Sequence, residues 1–343
     1  MTAPSSTSSE VTVLRTYEQF AAIGAEWQDL FAAAERPTPY QRHGWLKLCW
    51  NTVWRHPLNR LRVVLLRENG RLVLAGAFVL GWRKLRPIVY LLGSLTPQYD
   101  DVLWRPGAGT SSHTLQLLAA LRGELSFPRQ LKLDQVLDDS PLVAHARTRP
   151  DTRFAPSNTA SRIPLHQFGS FDAYFETLSK TLRGDHRRRL RTIMALPDAK
   201  FDIRGGDDRA EVVAWTLDRK RAWLGETGRE AEWLKGGRID AVFRALLAEP
   251  DVPDVWVSSI RAEGKIIAAA ICLVDGDTVY YSKITHDPAY GKQSPARTLT
   301  LEIVREAMHS GFRWFDLGQG SSEWKRRFSP LKAGVARARI HLA

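Results

Sequence analysis

Two cysteines in 343 residues, Cys49 and Cys272, far apart and each in an apolar setting, supply no disulfide framework. They read as buried free thiols in a reducing compartment. The longest apolar run, Leu72 to Trp82, is broken by Gly76 and Gly81 and is too short to cross a bilayer. The N-terminal MTAPSSTSSEV is Ser/Thr-rich without an apolar core, so residues 1–12 read as a disordered tail and not as a signal peptide. The nine histidines show no His-x-x-x-His pair and the cysteines no Cys-x-x-Cys, so no metal is expected. No Gly-x-x-x-x-Gly-Lys-Ser/Thr loop occurs, which excludes a P-loop nucleotidase. These absences leave a soluble, cytoplasmic, metal-free protein.

Charge of one sign is also in short supply. Lys and Arg exceed Asp and Glu by 12, while 44% hydrophobic and 25% charged residues are ordinary for a globular chain. The basic balance suits an anionic partner: a phosphate-bearing cofactor, RNA, or the anionic inner face of a membrane that the protein touches peripherally. A surface merely rich in solvated arginine has the same composition.

The chain contains a hidden repeat. Residues 61–79 read LRVVLLRENGRLVLAGAFV and residues 255–273 read VWVSSIRAEGKIIAAAICL. Aligning Gly70 with Gly264 superposes Arg67 on Arg261, Arg71 on Lys265 and Ala75 on Ala269. Each segment is a β-hairpin whose glycine supplies the positive φ of a tight turn. Helical periodicity precedes both: Phe20, Ile23, Trp27, Leu30 and Phe31, then residues 41–54, in the first half; residues 171–194 and 210–224 in the second. Strands at 87–94 and 278–284 and helices at 111–123 and 295–310 follow. The pattern predicts a tandem of α/β (α+β) domains, each a mixed central sheet flanked by helices, over residues 13–155 and 156–343, joined within Thr148 to Pro164.

In the second half, TVYYSKITHD, a basic loop, a helix and FRWFDL form one strand–loop–helix–strand unit. Ser294 is a preferred N-cap residue and Pro295 suits the first helical position. With Lys292, Gln293 and Arg297 beside it, this helix start suits a pyrophosphate. The loop Gln293-Ser-Pro-Ala296-Arg-Thr298 resembles the acyl-CoA pyrophosphate motif Q/R-x-x-G-x-G/A of the GNAT superfamily of N-acyltransferases, with alanine at the central glycine. The order of hairpin, SP-containing loop, helix and aromatic–Asp–x–Gly strand end, then FDLGQGSSEWKRRF, is more similar to CelD/BcsL-type acetyltransferases and the related Fem-like transferases. The likeness covers most of 170–330, including LSKTLRGDHRRRLR and DRKRAWL, and extends more loosely to LGSLTPQYDDVLW in the first half.

That resemblance implies tandem GNAT-like domains and acyl transfer from acyl-CoA to an amine on a sugar or envelope-polysaccharide precursor. The Fem branch implies aminoacyl-tRNA as donor instead, and a binding protein with a decayed donor site is a third reading. Lys292, Gln293, Ser294, Ala296, Arg297 and Thr298 are the expected donor-binding residues. Asp316 is placed to orient or deprotonate the amine, Tyr281 to protonate the leaving sulfur, and Glu323 and Lys325 share a face if their segment is extended. His286, Gln98, Tyr99 and Asp100 are expected at the acceptor. A structural turn carboxylate, a core tyrosine and a surface ion pair are the plain alternatives for Asp316, Tyr281 and Glu323–Lys325. The glycines of FDLGQG are expected to make a turn out of the sheet, not a phosphate loop.

Overall fold

The computed structural model describes residues 8–83, 86–94, 99–127, 129–150, 152–228, 237–248, 252–320, 323–329 and 331–342. The chain forms two units. One holds the chain up to Asn158 together with the C-terminal segment from Gly334; the other takes most of Thr159 to Ala333.

In the first unit, β1 (Ser9–Leu14), β2 (Arg60–Glu68), β3 (Arg71–Arg83), β4 (Arg86–Leu91), β6 (Arg129–Leu137) and β13 (Leu331–Leu342) lie side by side in that order, with β5 (Leu103–Trp104) on β3. Helices α1 (Tyr17–Ala22), α2 (Gly24–Ala33), α3 (His43–Cys49), α4 (Ser111–Gly123) and α5 (Pro141–Thr148) accompany them. In the second unit the order is β8 (Lys200–Asp202), β9 (Asp254–Ala262), β10 (Lys265–Asp275), β11 (Thr278–His286), β12 (Trp314–Gln319) and β7 (Arg153–Pro164). Its helices are α6 (Phe171–Thr177), α7 (Lys180–Met194), α8 (Arg209–Glu226), α9 (Arg238–Leu246), α10 (Pro295–His309) and α11 (Glu323–Phe328).

The two sheets repeat one topology. The hairpins β2–β3 and β9–β10 turn through Asn69-Gly70 and Glu263-Gly264, all four with positive φ, the type I′ geometry that matches strand twist. Beyond each hairpin an antiparallel strand leads through a helix to a parallel strand. The parallel ladders are short: Ile88↔Gln130 to Tyr90↔Lys132 in one unit, Thr278↔Trp314 to Tyr280↔Asp316 in the other. The aligned arginines behave alike. Arg67 grips Glu26 of α2 with two hydrogen bonds of 2.7 and 2.6 Å, and Arg261 binds Asp208 and Glu211 at the start of α8. Each unit has its own core, centred on Phe78, Leu117, Leu131 and Ile340 in the first and on Ala270, Leu299, Ile303 and Phe315 in the second.

Several expectations give way. Residues 9–12, assigned to the tail, belong to β1, whose Val11, Thr12 and Val13 pair along β2; the β-branched run suits a pleated strand. The segment 148–164, read as the joint, is largely strand β7, and the two units divide within it at Asn158. The last ten residues, read with the second half, pair with β6 and count with the first unit. The helix read across 171–194 is two, because the Ser179 hydroxyl accepts the Leu182 N–H and starts α7 afresh.

Asp316 ends the second parallel ladder and is 1% exposed. Arg162, its register partner on β7, donates Nε–H to Asp316 Oδ2 at 2.7 Å, and the Gly318 N–H reaches Oδ1 at 2.6 Å. Gly318 and Gly320 both have positive φ, so the Gly-x-Gly here is a turn closed by the aspartate. Replacing Arg162 by Met removes the ion-pair partner of this buried carboxylate, a loss of about 3 kcal/mol. Denaturant midpoints are expected to show that loss and to recover more than half of it in the Arg162→Met/Asp316→Asn double variant; additive losses would deny the pairing.

Candidate active site

Beyond Tyr280, β11 leaves the ladder to β12 and runs on to His286, so its backbone on that side opens at the C-terminal end of a parallel pair. Clefts at such divergences bind ligands because strand ends and a following helix N-terminus converge there. A cavity of about 440 Å³ occupies this place in the second unit. Its walls are β11 (Tyr281, Ile284, His286), α8 (Arg219, Lys220, Trp223), the first turns of α10 (Ala296, Arg297, Thr300) and Trp324 of α11.

A β-bulge shapes the wall. Cys272 pairs with Tyr281 but Ile271 pairs with Lys283, which leaves Ser282 as the extra residue. Tyr281 and Ile284 therefore both pack on the α10 face. Lys283 turns to the other side, where its ammonium lies 5.7 Å from the Phe243 ring of α9. Tyr281 is buried, and its hydroxyl is 2.6 Å from Thr300 Oγ1, which donates to the Ala296 carbonyl at 2.9 Å. Burial pushes the phenol well above its ordinary range, so it stays protonated. Trp324 meets Tyr281 edge-on with centroids 6.3 Å apart.

The cavity is cationic. Lys220 sits 4.5 Å from the Trp223 ring centre, and Arg219 pairs with Glu226. Burial first, then Arg219, and more weakly Arg297 and Lys220, hold His286 below its ordinary value against the pull of Asp287, leaving a neutral imidazole at pH 7. Burial, with Lys220 and Lys325 nearby, lowers Lys283 to about 7. Burial also lowers Lys325 to about 8, against the opposing field of Asp316, and its ammonium donates to the Gln319 carbonyl at 2.7 Å.

The start of α10 differs from expectation in a way that matters. Ser294 holds the cap position with φ +46°, and its hydroxyl donates to the Gly291 carbonyl instead of capping the helix. The Arg297 and Thr298 N–H groups turn back to the Ser294 carbonyl, and the Ala296 N–H, on the cavity wall, has no partner among the described residues. The corresponding helix of the first unit, α4, is closed by its own Thr110 side chain. The start of α10 thus lacks the side-chain cap that α4 has.

The predicted residues separate accordingly. Ala296, Arg297, Tyr281 and His286 come together on the cavity, with Ser294 at its edge. Lys292 and Gln293 lie in the preceding turn, off the wall, and Thr298 is buried in the core at 1% exposure, so its hydroxyl cannot serve a phosphate. Glu323 and Lys325 do not share a face, because their segment is the helix α11; Glu323 is exposed and pairs with Arg327. Both Asp316 oxygens are engaged within the sheet. Tyr99 and Asp100 are 2% exposed inside the first unit, where the Tyr99 carbonyl accepts from Thr38 and Asp100 from Ser94; Gln98 lies outside the described residues. Burial raises Asp100 to about 7, which suits a packed carboxyl more than a docking site for a cation. Sequence reasoning quoted DRKRAWL without naming Arg219 or Lys220 for the site, and passed over Thr300 and Lys283. A lysine inside the apolar strand TVYYSKITH was a signal for the last of these. Among the described residues no group of His, Cys, Asp and Glu is arranged for a metal ion, both cysteines are buried free thiols, and no helix is long and apolar enough to cross a membrane.

Comparison with known proteins fits this geometry. Residues 180–326 match the family model described as an acetyltransferase (GNAT) domain, a stretch that contains the residues lining the cavity. Among solved structures, FemX superposes with a TM-score of 0.65 at 8% identity, over 95% of this chain and 96% of that one. The C-terminal domain of a putative lysylphosphatidylglycerol synthetase from Agrobacterium fabrum gives 0.58 at 15% identity, over 93% and 92%. A tandem GNAT protein from the clavulanic acid biosynthesis pathway gives 0.53 at 13% identity, over 97% and 99%. At such identities the likeness is one of fold: tandem GNAT-like architecture. No protein of curated function matches the sequence.

The lysine on the bulged strand makes a measurable prediction. Folded Lys283 gives up its proton near pH 7, whereas the unfolded chain keeps it to roughly pH 10.4. The unfolded state binds more protons across that window, so this group makes stability rise with pH from about 7 to 10. Urea midpoints between pH 6 and 10 are expected to rise less steeply in Lys283→Met than in the parent; equal slopes would assign the titration elsewhere.

Proposed function

We propose that the protein is an acyl-CoA-dependent N-acyltransferase whose donor enters the second-unit cavity. The observation that carries this reading is the uncapped start of α10 facing a cavity walled by Arg219, Lys220 and Arg297, beside the open edge of β11. A diphosphate suits the Ala296 N–H and these cations. The pantetheine arm, an alternation of amides and short alkyl links, suits the side of β11 beyond its ladder to β12, with the thioester reaching Tyr281.

The acceptor amine must be neutral to attack the thioester carbonyl. Carbon–nitrogen bond formation and carbon–sulfur cleavage then release a thiolate that needs a proton. Tyr281, kept protonated by burial and linked to Thr300, is the donor of that proton in this reading. Lys325, lowered to about 8 by burial, can take the amine's proton only in its neutral form, which grows as pH rises toward 8, and the Asp316–Arg162 pair is a fixed support beside it. Glu323 has no part. An amino group on a sugar or envelope-polysaccharide precursor as acceptor follows from the CelD/BcsL resemblance.

One observation favours an aminoacyl-tRNA donor as a second reading. Arg187, Arg188 and Arg191 of α7 are exposed, and Asp185 and Arg189 of the same helix feel the charge of Arg297. A basic track thus leads away from the cavity, longer than a CoA needs.

Calorimetric titration with acetyl-CoA and longer acyl-CoAs at two salt concentrations separates the readings. Saturable binding is expected, weakened roughly tenfold or more in Arg297→Ala and in Arg219→Ala, since each removes a charge-assisted contact. Absence of thioester binding, with tRNA binding that falls steeply with salt, would replace the CoA reading by the tRNA one.

A further inference from the structure

One end of the first unit's sheet carries a surface that the acyl-transfer reading does not use. Trp82 at the end of β3 is 46% exposed, Phe127 before β6 is 40% exposed, and Leu58 before β2 is 62% exposed. They are neighbours in the fold. The Trp82 and Phe127 rings lie 6.1 Å apart, and the Arg129 guanidinium sits 5.7 Å from the first and 4.8 Å from the second. Leu58 leads into Arg60, which pairs with Leu80 two residues before Trp82. Arg86 is exposed at the start of β4, one residue before Pro87, the register partner of Trp82.

The charge around these side chains is one-sided. Segments 54–62, 80–91 and 124–132 contain eight Lys and Arg residues against a single carboxylate, Glu124. That carboxylate is bound by Arg15 and Arg62. In these segments a tryptophan, a phenylalanine and a leucine are exposed among arginines, and the one carboxylate is already paired. Trp and Phe side chains with flanking arginines are stable at the headgroup level of a bilayer, where rings sit among acyl carbonyls and guanidinium groups meet lipid phosphates.

We propose that this surface, centred on Trp82, Phe127 and Arg129 with Leu58, Arg60 and Arg86 around it, docks the protein onto an anionic lipid bilayer. The apolar groups stand on strand ends and connecting turns, a placement that fits a deformable surface. Each arginine near an anionic leaflet strengthens binding roughly fivefold, and salt screens the effect. The proposal is independent of which donor the second unit takes.

Vesicle flotation of the full chain tests it. Vesicles of phosphatidylcholine containing about a third phosphatidylglycerol are expected to carry the protein at low salt, and pure phosphatidylcholine vesicles are not. Trp82→Ser/Phe127→Ser is expected to weaken the partition about tenfold, and Arg60→Gln/Arg86→Gln about twentyfivefold, from the per-charge factor. Arg187→Glu, on α7 of the other unit, is expected to leave it unchanged. No partition onto anionic vesicles overturns the proposal. So does partition that ignores lipid charge, or one that Arg187→Glu abolishes while both first-unit variants retain it. The arginine pair guards against loss of folding in the aromatic variant, because both side chains are exposed and their removal opens no cavity.

Discussion

The second unit depends on a parallel ladder of three residue pairs. Between Thr278 and Tyr280, β11 is held to β12; after that the strands part, and the cavity exists because they do. A short ladder is a weak clamp, since each backbone hydrogen bond contributes only about 1 kcal/mol net. Its last pair is reinforced by a buried ion pair across to β7 and by the Gly318 N–H. Burying that carboxylate is costly alone and tolerable with Arg162. The turn at Gly318 then carries the chain toward α11, which delivers Trp324 to the cavity wall.

The two units use one frame for different ends. Hairpins with matching turns, arginines that tie each hairpin to an earlier helix, and matching three-pair ladders show the same solution reached twice. The divergence lies at the helix that follows. Thr110 satisfies the start of α4 from within, whereas Ser294, forced into a left-handed conformation, turns its hydroxyl away from α10. A capped helix end needs nothing else. An uncapped one next to three cations is suited to an anion, which is the contrast between the two units that the proposed donor site rests on.

Much of this was legible early. The glycine-centred repeat identified both hairpins, because a type I′ turn has few sequence solutions. The Ser-Pro start and apolar stripe identified α10, and Arg297, Tyr281 and His286 were named for the site they line. What failed had physical causes. Thr298 looked like a phosphate ligand from its spacing, but helical geometry turns it inward. Glu323 and Lys325 were paired on the assumption of an extended segment, and a helix separates them. Arg219 and Lys220 lie on α8, and nothing local says that one face of that helix borders a strand about sixty residues further along.

By itself, then, the sequence determined the duplicated hairpin–strand–helix–strand order, the basic balance and the helix start, because these rest on turn chemistry and periodicity within short windows. Tertiary structure alone decided which side chains meet. The extra residue at Ser282 puts Lys283 on the face opposite Tyr281, and pairing with β6 returns the last strand to the first unit. A one-residue change of register reverses every side chain that follows, and register is chosen by neighbours distant in sequence, which no local pattern records.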